Sequence, residues 1–243
     1  MTKLTKTFIL LGLLGIVLLS CASMTNQNNA NKEQVQPSNE PVMVEQLSSD
    51  ILLAEHEAAR VSITGVQQDT ETIAPITVHI DGEQKTYQWQ NVADVEYYPE
   101  LVVTDLNADG QDEIYLFLTK GYGTGVVDTQ IHILRKNFTE FTPPNPFVDL
   151  KGKLTSTVDE NDSEQIYTLQ LNKRAYTYTY QHDEAAMWFE EIVVGKSTTY
   201  RIEQNELILS LSLQVAPTIT VGTLEMNYKL IDNQFKLSSM RLV

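Results

Sequence analysis

Leu207, Leu209, Leu211, Leu213 and Val215 alternate with Ile208, Ser210, Ser212 and Gln214. Successive side chains of a strand point to opposite faces, so a period of two buries one apolar row and turns the other toward solvent. A helix would scatter the same row around its axis. The signature recurs along the chain. Ile76, Val78 and Ile80 alternate with Thr77 and His79, Asp81-Gly82 follows, and Lys85 to Trp89 resumes an extended pattern. Asp-Gly between two such runs predicts a hairpin, because both residues tolerate positive φ. Leu101 to Thr104, Ile114 to Leu118, Val126 to Leu134, Ile166 to Leu171 and Ala175 to Tyr180 read as further strands, and Leu224 to Ile231 with Phe235 to Leu242 as a closing hairpin around Asp232-Asn233. One short helix is expected near the start, where Ser49-Asp50 can cap Ile51, Leu52, Leu53 and His56 ahead of Arg60. The predicted fold class is mostly β, with antiparallel sheets in a sandwich or partly open barrel-like arrangement and at most a short N-terminal helix. It is not a full propeller, since no internal repeat of fixed period is present. Pro143-Pro144-Asn145-Pro146 interrupts the strands. It either divides two sub-domains or links hairpins packed in one core; the second is preferred, because neither half has a full complement of strands.

The N-terminus is of another kind. Lys3 and Lys6 precede an almost unbroken apolar run from Phe8 to Leu19, shorter than the roughly 20 apolar residues of a bilayer span and suited to a signal-peptide core. The run ends in Leu18-Leu19-Ser20-Cys21, and Cys21 is the only cysteine of the chain. This ending resembles the lipobox of bacterial lipoproteins. The resemblance implies a diacylglycerol on the Cys21 thiol, cleavage just before it, and attachment to the extracytoplasmic side of the cell membrane. Residues 1–20 are then a signal peptide, 21–46 a lipid-anchored tether, and 47–243 the β-rich extracytoplasmic domain. The Asn- and Gln-rich stretch from Met24 to Val42 has almost nothing to bury and is expected to be disordered. A chain of that length spans about 25 Å, enough to lift a domain off the lipid. The formal net charge of −15 becomes more negative once Lys3 and Lys6 are removed. That field opposes nucleic acids and anionic headgroups, so membrane attachment is expected from the lipid and no nucleic-acid partner is expected.

The most informative internal segment is Asp105-Leu106-Asn107-Ala108-Asp109-Gly110-Gln111-Asp112-Glu113. Oxygen-bearing side chains at positions 1, 3, 5 and 9, with glycine at 6, suit a tight loop around one hard cation. Asp105, Asn107 and Asp109 would point inward, the Gln111 carbonyl would serve at position 7, and Glu113 would close the shell directly or through water. The loop resembles the calcium-binding loops of FG-GAP and VCBS-type repeats, in which such a loop links two strands; here Leu101-Val102-Val103 precedes it and Ile114-Tyr115-Leu116-Phe117-Leu118 follows. The resemblance covers roughly Glu100 to Leu118 and implies a structural calcium site. The Phe-Gly and Gly-Ala-Pro elements of those repeats are absent, and there is a single copy. An EF-hand is excluded, because position 12 is Leu116 and no helix flanks the loop. The segment is also similar to exported proteins of Gram-positive bacteria that carry one such loop and then a glycine-rich turn, a likeness that brings no activity with it. Two readings stay open: a calcium loop, or a solvated turn rich in Asp, Asn and Gly because turns favour them. The sequence argument for calcium is that Asp105, Asp109, Asp112 and Glu113 repel one another without a cation.

Three other patterns bear on function. Gly121-Tyr122-Gly123-Thr124-Gly125 lacks the Lys-Ser/Thr ending of a phosphate loop and precedes a strand, so it reads as a hairpin turn at the rim of a surface. Tyr176, Tyr178 and Tyr180 share one strand face, with Trp188 and Phe189 soon after. An exposed row could stack on sugar rings or a peptide, and a covered row would be core or cross-strand packing. His56, His79, His132 and His182 form no paired zinc spacing, no Gly-x-Ser-x-Gly elbow or second cysteine is present, and Glu190-Glu191 is one acidic pair among many. The chain is therefore expected to be non-enzymatic: a lipid-anchored surface domain with a calcium loop and a protein or glycan partner. The alternatives are a carbohydrate- or peptide-binding module using Tyr176, Tyr178 and Tyr180, and a hydrolase of envelope polymers.

Overall fold

A computed structural model of the chain describes residues 50–123 and 126–243. The signal segment, Cys21 and the tether lie outside the described residues, as do Thr124 and Gly125 of the glycine-rich turn. Among the described residues, sixteen strands form four antiparallel sheets in which nearly every strand pairs with its sequence neighbour. The first sheet holds β1 (Ile51–His56), β2 (Val61–Gln67), β3 (Thr72–Ile80) and β4 (Glu83–Tyr87), with β5 (Asn91–Val92) paired to the start of β3. The second runs β6 (Glu100–Thr104), β7 (Glu113–Gly123), β8 (Val126–Arg135) and β9 (Glu140–Phe141). After α1 (Pro146–Leu150) come the three strands β10 (Leu154–Glu160), β11 (Glu164–Leu171) and β12 (Arg174–Gln181). The last sheet is β13 (Val193–Glu203), β14 (Glu206–Ala216), β15 (Ile219–Ile231) and β16 (Gln234–Leu242). The fold is mostly β and antiparallel, as the alternating patterns predict, with no closed barrel.

The hairpin turns follow their chemistry. Asp81 and Gly82 take φ of 52° and 91° between the paired ends Ile80 and Glu83, and Asp232 and Asn233 take 51° and 61° between Ile231 and Gln234. Along β14 the predicted row is buried at Leu207, Leu209, Leu211, Leu213 and Val215, while Ser210, Ser212 and Gln214 stay partly exposed.

One expectation needs correction. The residues read as an N-terminal helix are β1, followed by a single 3-10 turn over Glu57–Ala59 that ends at Arg60 with φ 53°. Four apolar residues are too few to carry a helical period, and pairing with β2, which buries Leu53, decides the state. Among the described residues the α-helix is α1, after the proline segment, with Asn145 as its cap and Pro146 in its first turn.

The proline segment does not divide the core. A large cluster takes Tyr115, Phe117, Ile131, Ile133 and Phe141 from before it, and Leu169, Leu209 and Met226 from after it. A second cluster, wholly upstream, joins Ile63, Ile76 and Val78 to Ile114, Leu116 and Leu118. Strand β7 therefore feeds alternate residues to two cores, which is why Ile114 to Leu118 is apolar without interruption. Its fully buried first residue is Glu113.

Candidate metal centre

Thr104 and Glu113 face each other as the last pair of the β6–β7 ladder, and residues 105–112 close the loop between them. Leu106 turns down into the large core, 6% exposed, and holds the loop against the sheet. Positive φ occurs at Gly110 (84°), as the tight turn requires, and also at Ala108 (57°). The side chains then fold onto the loop backbone. Asp105 accepts from the Asp109 N–H at Oδ1 (3.0 Å) and from the Gly110 N–H at Oδ2 (2.7 Å). Asn107 Oδ1 also accepts from the Asp109 N–H (3.0 Å), and the Gln111 N–H donates to Asp109 Oδ1 (2.9 Å). The Leu106 N–H donates to Glu113 Oε2 at 3.0 Å.

This brings together three of the five residues the spacing selects. One oxygen from each of Asp105, Asp109 and Glu113 lies within 4.8 Å of the other two. Asn107 borders the same cluster, its Nδ2 donating to Asp109 Oδ2 at 3.2 Å. Gln111 is tied to Asp109 through its N–H rather than through the carbonyl that the spacing assigns. Glu113 is 0% exposed, and its Oε1 has no hydrogen-bond partner. Burial raises the Glu113 carboxyl above the ordinary carboxylate range; the Leu106 N–H and Arg135 oppose that shift, and the nearby Asp109 and Asp105 charges reinforce it. Two residues along on the same face, the hydroxyl of Tyr115 is also buried without a partner, and burial raises its pKa.

The loop carboxylates are not uncompensated, as the sequence suggests they would be. Register places Arg135, the last residue of β8, opposite Glu113. Its Nη2 donates to Asp109 Oδ2 at 2.9 Å, and Nη1 stands 3.8 Å from Glu113 Oε1. The hydrogen bond from Arg135 is the main reason the Asp109 carboxyl falls below its ordinary value. Lys136 reaches to within 3.7 Å of Asp112. Counter-charge thus arrives from a strand more than twenty positions away in sequence.

The tyrosine row is placed differently from an open platform. Tyr176, Tyr178 and Tyr180 are half-buried and pack against the large core, and Tyr180 meets Trp188 at a ring separation of 5.4 Å. Burial raises the pKa of Tyr178 and Tyr180. The rings cover the sheet, and Tyr176 borders a hollow beside Arg174 and Arg241. A larger hollow of about 670 Å³ lies where the glycine-rich turn was expected to form a rim, bounded by Asp94, Lys120 and Tyr122. Tyr122 stacks on Tyr97 and donates to Asp94 at 3.0 Å.

The histidines take structural places. His56 Nδ1 accepts from the Ala59 N–H, and His79 Nε2 lies 3.0 Å from Thr64 Oγ1. His132 pairs with Glu140 at 3.0 Å, but its ring is buried under Trp89, 3.7 Å away and nearly parallel. His182 Nε2 stands 3.6 Å from Glu160. Glu190 and Glu191 are exposed. No family model, no curated protein and no solved structure matches the chain.

Proposed function

We propose that this chain is an exported protein, anchored by lipid on Cys21 to the extracytoplasmic face of the cell membrane. Its β-rich domain holds one structural calcium ion between β6 and β7 and serves a non-enzymatic binding or envelope role. The observation that carries the metal reading is Glu113, a fully buried carboxylate with one oxygen left unpartnered beside Asp105 and Asp109. An unmade interaction at a buried charge is costly, and a bound cation would complete it.

The donor set fits calcium. It consists of oxygens only, and calcium takes six to eight of them at about 2.3–2.6 Å in an adaptable geometry. Asp105, Asn107, Asp109, the Gln111 carbonyl and Glu113 would hold the ion, and water would complete the shell. Bound there, calcium neutralises charge and ties the end of β6 to the start of β7. The loop's own hydrogen bonds pre-form the turn, which lowers the entropic cost of closing it on an ion.

The anchor reading rests on Lys3, Lys6, the apolar run and Cys21. The non-enzymatic reading rests on the sequence, which offers no paired zinc spacing, no Gly-x-Ser-x-Gly elbow and no second cysteine.

Calorimetric titration of the chelator-stripped full-length chain should yield one calcium site, lost in Asp109→Ala. No heat in the wild type at millimolar calcium, with an unchanged melting curve, removes the metal reading. Metabolic labelling with a fatty acid should mark the wild type and fail on Cys21→Ser, and equal labelling of both refutes the anchor.

A further inference from the structure

Arg135 links the acidic loop by hydrogen bonds to a turn in a distant part of the sequence. Its side chain is 16% exposed and lies over the Phe141 ring, 5.1 Å from the centroid. One nitrogen, Nη2, donates both to Asp109 Oδ2 at 2.9 Å and to Asn233 Oδ1 at 2.8 Å. Asn233 belongs to the β15–β16 turn, 98 residues away in sequence. The other nitrogen, Nη1, has no hydrogen-bond partner, and neither does the Glu113 Oε1 atom 3.8 Å from it. The guanidinium thus leans on the carboxylates that the metal would use without saturating them.

We infer that Arg135 is the built-in counter-cation of this loop, that it competes with calcium for Asp109 and Glu113, and that calcium entry loosens its hold on the β15–β16 turn at Asn233. The inference rests on the reading of the loop as a calcium site. A divalent ion and a guanidinium sharing two carboxylates repel each other at a separation of a few ångströms. Each therefore lowers the affinity of the other, and the coupling is reciprocal.

The second half follows from the shared nitrogen. Because Nη2 serves Asp109 and Asn233 together, displacing the guanidinium from the loop carboxylates moves the same nitrogen that holds Asn233. Asn233 is exposed and has a φ of 61°, a conformation that side-chain hydrogen bonds help to hold. It also borders a hollow of about 500 Å³ lined by Pro143, Pro144, Val148 and Phe235. The metal loop and the wall of that hollow are joined through one side chain.

The test compares calcium affinity in the wild type, Arg135→Gln and Asn233→Ala, together with backbone hydrogen exchange of the β15–β16 turn. Arg135→Gln should bind calcium about tenfold more tightly, the change expected for removing one neighbouring positive charge. Asn233→Ala, which removes the second anchor of the guanidinium from an exposed position, should tighten binding by a smaller factor. Calcium should speed exchange in the turn of the wild type and leave that of Arg135→Gln unchanged. Equal or weaker affinity in Arg135→Gln, or a turn insensitive to calcium in the wild type, overturns the inference while leaving the metal site standing. A wild type that binds no calcium beside an Arg135→Gln that does would sink the resident-metal reading and uphold Arg135 as the counter-cation. Silence in both sinks the two together. If Arg135→Gln does not fold, Asn233→Ala decides alone, and unchanged affinity there overturns the inference.

Discussion

Two buried glutamates of this protein face arginines and end in opposite states. Glu225, 8% exposed on β15, is saturated: Arg201 Nη2 donates to its Oε1 at 2.7 Å, and Arg241 donates to its Oε2 through Nε (2.9 Å) and Nη2 (2.7 Å). Burial works to raise its carboxyl, but the two arginines outweigh burial and hold it below its ordinary value of 4.5. Glu113 has one arginine at 3.8 Å, an unpartnered oxygen, and a carboxyl raised above 4.5, with burial the largest cause. The residue types are the same and the difference is completeness. Short hydrogen bonds to both oxygens make Glu225 a structural tie across three strands. The incomplete pair at Glu113 leaves a buried negative charge that can still accept a cation.

Calcium should separate the two sites most sharply. At about a hundredfold excess over Kd it should stabilise the fold by about 2.7 kcal/mol, which for a domain of this size is about 5–10 °C in melting temperature. Glu113→Gln and Asp105→Ala should lose that shift, and Glu225→Gln should keep it whole. A full shift in Glu113→Gln would erase the distinction. Next in size is Glu225→Ala, which strands two guanidinium groups. Because the Arg201 and Arg241 side chains are 40% and 63% exposed, the loss should be about 1–2 kcal/mol, below the 3–5 of a fully buried pair. Denaturant unfolding should find the same loss with and without calcium.

The smallest effects are in pH, and they have opposite signs. A carboxyl with a depressed folded pKa, such as Glu225, contributes stability above the ordinary 4.5 that is lost as pH falls through the folded value. Glu113, raised in the metal-free loop, binds its proton more tightly when folded, so its contribution declines as pH rises above 4.5. In chelator, Glu225→Gln should flatten the acid loss of stability and Glu113→Gln should flatten the opposing decline. His132 supplies a separate window. Burial lowers its pKa below 6.5 despite Glu140, so stability should fall as pH drops below 6.5, and His132→Asn should remove that slope. Urea midpoints from about pH 2.5 to about pH 8 measure all three, and parallel profiles would refute the assignment.

Much of the fold was legible along the chain because alternation and turn chemistry are local. The apolar row of β14, the Asp81-Gly82 and Asp232-Asn233 turns, and the strands on either side of Asp105 to Asp112 needed no partner to be read. So did the oxygen-bearing positions and Gly110, since a nine-residue loop carries its own geometry. Ile51 to His56 misled because so short an apolar segment suits a helix or a strand, and its state came from β2. The tyrosine row announced its shared face, but which way that face looks depends on the core it meets.

The acidic loop itself was visible in the sequence, and its counter-charge was not. Counting outward from the Gly123–Val126 pair would set Glu113 against Lys136. The register shift between Thr119 and Gly121 brings Arg135 there instead. A slip of one residue exchanges the two faces of a strand, so this single irregularity decides that an arginine is held over the loop carboxylates. Its second tie, to Asn233, joins segments that only packing brings together. Spacing along the chain could name the oxygens; whether their charge was already balanced was set by register and packing, because a salt bridge depends on distance in space.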